Sequence, residues 1–203
     1  MSSMPAELDV ETITVPAAVR FPVELEPPPG FRSEDPESWP KVEGRLEYVD
    51  GRLLFMPPCG DVQQGVAVSV VGQLDRWLDD HPEFFVGGNE AGLIFGPDVR
   101  GADAAVWRRD VLGPLTGGYV RIPPILAVEV GGREERESQL REKARWYLTR
   151  GVSVVWVVLP PTREVIVITP DGETRHGPGK VLPPHPALPG LEPPVDRIFR
   201  QVT

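Results

Sequence analysis

A run of six residues, Ile125-Leu126-Ala127-Val128-Glu129-Val130, limits what this chain can fold into more than any other stretch. It is apolar at both positions of a two-residue repeat. As a strand it must therefore be covered on both faces, as the central strands of layered α/β sheets are. Glu129 breaks the pattern. A carboxylate in such a place costs on the order of several kcal/mol to desolvate unless it is paired, hydrogen-bonded or bound to a cation. It also lies near the strand's C-terminal end, where α/β sheets carry their sites. An arginine at the sheet rim would answer the same need, so this residue alone leaves a structural ion pair and a working site both open.

The flanking segments supply the layers. Leu46 to Val49, an Asp50-Gly51 turn and Arg52 to Met56 read as a hairpin, because Asp-Gly tolerates positive φ at both central positions. Val66, Val70, Leu74 and Leu78, with Trp77 beside them, predict an amphipathic helix over Val62 to Asp80, with Asp61 as its N-cap. Phe84 to Val86 and Gly92 to Phe95 read as two strands flanking a Gly87-Gly88-Asn89 turn, and Asp103 to Trp107 as another short strand. After Gly131-Gly132 a second helix is expected from about Glu134 to Arg150, stopped by Gly151. Val152 to Leu159 and Glu164 to Thr169 complete the strands. The order predicts an α/β (α+β) fold, one mixed sheet with a helix on each side.

Two more polar residues stand where core is expected. Asp103 shares a strand face with Ala105 and Trp107, and it faces the same way as Glu129 if the two strands are neighbours. Such a pair of carboxylates makes a divalent-cation site of the magnesium type, with positions left for water and phosphate. A solvated position on an edge strand, after an Arg100-Gly101 turn, is the plainer account of Asp103. Lys143 lies at the margin of the helical stripe Leu140, Ala144, Tyr147, Leu148, either snorkelling to solvent or turned inward to balance the acids. Glu47, on the first hairpin strand, is a fourth candidate beside its reading as a surface residue, and Glu90 a weaker fifth.

Composition narrows the classes. The 203 residues suit one domain with appendages, and 40% apolar content is ample for a core. A single cysteine, Cys59, and three scattered histidines argue against disulfides and zinc clusters, and a cytoplasmic setting is expected. No apolar run reaches the roughly 20 residues of a membrane span, and the first residues lack a signal-peptide pattern. The net charge is −9, but residues 1–50 carry 11 Asp/Glu against 4 Lys/Arg, so the body is nearly neutral. The net charge of −9 argues against a generic nucleic-acid binder. Residues 1–41 read as an acidic, proline-containing N-terminal arm, with Val10 to Val15 as an edge strand. Residues 42–200 form the domain, and a proline-rich tail over 170–203 packs on it through Ile198-Phe199.

The residues also resemble a known family. Arg45 to Pro57 is similar to the opening signature of the Uma2 (DUF820) family, Pro123 to Val130 to its acidic strand, and Arg141 to Val158 to its lysine helix and following strand. Leu188 to Leu191 resembles its closing segment, so the likeness spans about residues 43–200. The family is similar to restriction endonucleases of the PD-(D/E)XK superfamily. The resemblance implies a restriction-endonuclease-like fold and Mg2+- or Mn2+-dependent hydrolysis of nucleic acid, DNA foremost. Asp103 and Glu129 would be the metal-binding acids, Lys143 the catalytic lysine moved from strand to helix, and Glu47 an upstream acid. The chain departs from the pattern at Ala102, Val62 and Gly131-Gly132. A nuclease-like scaffold that binds without cutting is therefore the alternative, and a homodimer formed through arm and tail fits either.

Overall fold

The computed structural model describes residues 19–202 except Glu134, and all their side chains except those of Asn89 and Glu90. The expected edge strand over Val10 to Val15 lies outside the described residues, as does the Glu90 carboxylate. In chain order the elements are β1 (Val23–Leu25), β2 (Arg45–Val49), β3 (Arg52–Met56), α1 (Asp61–Leu78), β4 (Phe84–Phe95), β5 (Asp98–Arg108), α2 (Arg109–Leu112), β6 (Leu126–Val130), α3 (Glu137–Leu148), β7 (Val154–Leu159), β8 (Glu164–Thr169), β9 (Gly172–His176) and α4 (Val195–Ile198).

The strands form one mixed sheet in the order β1-β3-β2-β5-β6-β7-β8-β9, with β4 laid along β5. Strands β6 and β7 are parallel, joined by the α3 crossover, and the other registered pairs are antiparallel. Because β4 pairs with β5 from Asp98 to Arg108, it takes one edge of that strand throughout. Strands β2 and β6 must then share the other edge. β2 meets it at Val99, and β6 only at Ala104 to Val106. The sheet forks over residues 100–103, and the site lies at the fork.

Helix α1 and the tail cover one face. Val66, Val70 and Leu74 pack with Val128, Val130 and Trp156, and with Leu182, Leu188, Ile198 and Phe199 from the tail. Burial of the two last side chains contributes about 1.5–3 kcal/mol each, so the tail docks as its apolar end predicts. Helix α3 covers the other face, where Leu140, Ala144 and Tyr147 meet Ala105, Ala127, Val155 and Val157. The double cover expected of β6 is thus met, and all five of its residues are buried.

Several local expectations are corrected. The Gly87-Gly88-Asn89 segment is no turn: β4 runs straight through it, with a register shift between Gly88 and Ala91. Its glycines serve close packing. A Cβ on Gly87 would stand 2.9 Å from the Trp107 ring, and one on Gly88 would stand 3.0 Å from Val71. Arg100-Gly101 is likewise inside β5. Helix α1 starts at Asp61 with Gly60 as N-cap, and α3 spans a shorter range than expected. The tail begins with a ninth strand, β9, whose mostly exposed residues carry no apolar alternation to reveal it. The described part of the arm is not detached. β1 pairs with β3, and Trp39 packs with Leu53, Ile94 and Val99 in a third cluster. The Asp50-Gly51 turn and the Gly151 stop are as expected, at φ 51°, 79° and 92°.

Candidate active site

At the fork, the antiparallel ladder between β5 and β6 ends at Ala104 opposite Val128. Carried one step further, the same register sets Asp103 across from Glu129 on the face covered by α3. The backbone amide of Val130 donates instead to Oδ2 of Asp103, at 2.6 Å. A side chain has replaced the next rung. Both acids are withdrawn from water, Asp103 at 8% exposure and Glu129 at 3%, so neither a solvated edge position nor a rim arginine accounts for them.

Their partners come from α3. Tyr147 Oη donates to Glu129 Oε1 at 2.7 Å, and Lys143 Nζ lies 3.3 Å from Oε2. These two donors are four residues apart and so lie on one side of the helix. The lysine does not snorkel: its side chain is only 13% exposed, and its ammonium also contacts Glu135 Oε1 at 3.1 Å. Glu135 is anchored in turn by the Gly132 amide, at 2.9 Å to Oε2. Glu47 is buried on the same face and paired with Arg100, whose Nε lies 2.9 Å from Oε2. The Arg100 guanidinium lies 4.9 Å from the Trp146 ring centroid. Beneath β6, Gln63 donates to the Val130 carbonyl at 2.9 Å.

The electrostatics follow from burial. Desolvation raises Glu129 to about 7, against the opposing pull of Lys143 and with help from the charges of Asp103 and Glu47. Desolvation likewise raises Asp103 to about 6, although the Val130 amide and Lys143 oppose it. Burial alone would pull Lys143 down, but Glu129, Glu47 and Glu135 outweigh it and hold the ammonium charged. Glu135 ends below the ordinary glutamate range because Lys143 and the Gly132 amide overcome its burial.

The structure therefore brings Asp103, Glu129 and Lys143 together as expected, with Glu47 close by but engaged by Arg100. Sequence reasoning missed Glu135, Arg100 and the contact made by Tyr147. Of these only Tyr147 carried a signal, its place on the inward stripe four residues after Lys143. Two of the arginines around α3 are already engaged by acids. Arg141 pairs with Glu137 and Glu173, and Arg150 with Asp98 and Asp50.

Among the described residues no group of three or more His, Cys, Asp or Glu side chains is arranged to hold a metal. Two carboxylates are nonetheless the usual protein share of a magnesium site, the rest being water and substrate oxygens. Asp103 spends Oδ2 on the Val130 amide, and among the described residues Oδ1 accepts no hydrogen bond. A divalent cation held between two buried acids would offset the cost of keeping both charged. The donor set fits Mg2+ or Mn2+.

A large mixed sheet flanked by helices, with buried acids where it forks, defines a restriction-endonuclease-like fold. A solved structure from Anabaena variabilis ATCC 29413, described as a "putative nuclease belonging to DUF820", shares it with a TM-score of 0.73 at 15% identity, covering 85% of this chain and 99% of that one. The chain itself belongs to the Uma2 family, whose model, described as "Putative restriction endonuclease", matches residues 33–197. No curated protein is significantly similar to it. Among the described residues no helix is long and apolar enough to cross a membrane.

Proposed function

We propose that this protein is a Mg2+- or Mn2+-dependent nuclease that hydrolyses phosphodiester bonds of nucleic acid, with Asp103 and Glu129 as the metal-holding acids. The observation that carries the reading is the facing pair itself: two buried carboxylates on adjacent strands, one of them ion-paired to a lysine. The cation, when bound, supplies a Lewis acid for the phosphoryl oxygen and lowers the pKa of a bound water. Lys143, held in its charged form, would place positive charge where negative charge develops on the phosphate in the transition state. Tyr147 holds the Glu129 carboxylate in orientation through its hydrogen bond. Glu47 adds negative charge that keeps Lys143 protonated and is itself held by Arg100.

Incubation of the purified protein with DNA and RNA in Mg2+ or Mn2+, beside Asp103→Ala and Glu129→Ala, tests the reading. Cleavage by the native chain alone is the expected result, and equal activity in all three proteins would overturn it. A binding-only scaffold would show no cleavage and no cation-dependent rise in melting temperature.

A further inference from the structure

We propose that the cleft leading to this site admits one unpaired nucleotide, so that single-stranded or locally unpaired nucleic acid, rather than intact duplex, is the substrate. The assignment rests on the nuclease reading of the acids. A cleft of about 400 Å³ opens between the hairpin and α3, with Glu47 and Lys143 among its lining residues. Neither Asp103 nor Glu129 lines it, so Lys143 stands between the cleft and the acids. Lys143, which lines the cleft and contacts Glu129, joins the two.

Shape and chemistry of the walls select the occupant. Phe21, Leu54, Met56 and Pro57 make one wall apolar, and Phe21 brings an aromatic ring to it, whereas the Trp146 ring on the helix side is taken up by Arg100 and Arg150, 4.9 Å and 4.0 Å from its centroid. A π-face and flat apolar surface are what an unstacked base packs against, whatever its sequence. Arg52, on the exposed rim of the cleft and 4.0 Å from Glu24, offers positive charge to the sugar-phosphate backbone, with Asp50 and Glu142 also in the lining. The volume is that of a small-ligand pocket. It takes one nucleotide, whereas a duplex, with a major groove alone about 12 Å wide, keeps its bases stacked outside. A paired nucleotide would have to be extruded first, at the cost of unstacking.

The test is binding in Ca2+, then cleavage in Mg2+ or Mn2+, of labelled oligonucleotides of one sequence. These are a single strand, its blunt duplex, and the duplex with one unpaired nucleotide, each as DNA and as RNA. For whichever nucleic acid binds, the single strand and the bulged duplex are expected to bind at least ~10-fold more tightly than the blunt duplex. Phe21→Ala and Arg52→Glu are each expected to weaken single-strand binding by roughly 10-fold with the melting temperature unchanged. Equal or tighter binding of the blunt duplex, or native-like binding by both variants, would overturn the assignment. Preferential binding of unpaired strands without cleavage would instead overturn the nuclease reading and leave the cleft assignment standing. Cleavage of blunt duplex at the single-strand rate would do the reverse.

Discussion

Tyr147 donates its hydroxyl to the buried carboxylate of Glu129 at 2.7 Å, one helical turn beyond Lys143, which takes the other oxygen. Removing that donor leaves one carboxylate oxygen buried without its partner. Tyr147→Phe is expected to cost about 1–3 kcal/mol of stability, read by chemical denaturation at neutral pH. It is also expected to raise the Glu129 pKa further, since the hydrogen bond favours the charged form.

Lys143 bridges Glu129 and Glu135, and its loss uncovers both. Lys143→Met is expected to abolish cleavage and to destabilise the fold by about 3–5 kcal/mol at neutral pH, because a buried charge is left uncompensated. The loss is expected to shrink as pH falls through about 7, because Glu129, no longer held down by Lys143, takes up a proton there. Melting temperatures of native and variant protein across that range check both statements.

The acid pair gives stability an inverted pH dependence. Both acids bind protons more tightly folded, at about 6 and about 7, than their unfolded values near 4. The folded state then holds more protons between about pH 4 and pH 7, so this contribution to stability is full below about pH 4 and is lost as pH rises through the folded values. Glu135 acts in the opposite sense, its contribution being lost as pH falls through its depressed value. In chelator, the melting temperature is expected to fall from about pH 5 to pH 7. Added Mg2+ is expected to flatten that fall, and a profile identical with and without cation would count against metal binding at these acids.

Asp103 has two tasks that substitution can separate. Asp103→Asn keeps an oxygen for the Val130 amide and removes the charge, so the variant is expected to fold with native stability or better while losing the Mg2+-dependent rise in melting temperature. Asp103→Ala removes both and is expected to cost a further ~1–3 kcal/mol through the orphaned amide.

Gly132 is tightly surrounded. A Cβ there would sit 3.0 Å from Gln63 Oε1 and 3.3 Å from Glu135 Oε2, two groups that hold the loop after β6. Gly132→Ala is expected to cost about 1–3 kcal/mol by overpacking and to reduce cleavage by shifting the anchor of Lys143. Denaturation and initial rates on one preparation would show both effects together.

The glycine pairs show why part of the fold was hard to read. Gly87-Gly88 and Gly131-Gly132 look alike as sequence, and both suggest turns. In the structure one pair lies within a continuous strand beneath Trp107 and beside Val71. The other follows β6 and is crowded by Leu140 and Gln63. Close approach of a distant side chain leaves no local mark. Arg100 was read as a turn for the same reason, since its partner Glu47 lies 53 residues away.

Local pattern alone determined that β6 is central, that Asp103 and Glu129 point one way along their strands, and that Lys143 rides the inward margin of a helix. Each of these rests on the period of a strand or a helix, which neighbouring residues set. Tertiary structure alone decided that β2 and β6 share one edge of β5, opening the fork where the acids meet. It also decided which oxygens Lys143 and Tyr147 take, that Glu135 completes the ion pair, and that a cleft of one-nucleotide size leads to it. Those are pairings between distant segments. Their geometry is set by how the sheet forks and how its layers pack, and no period in the chain encodes it.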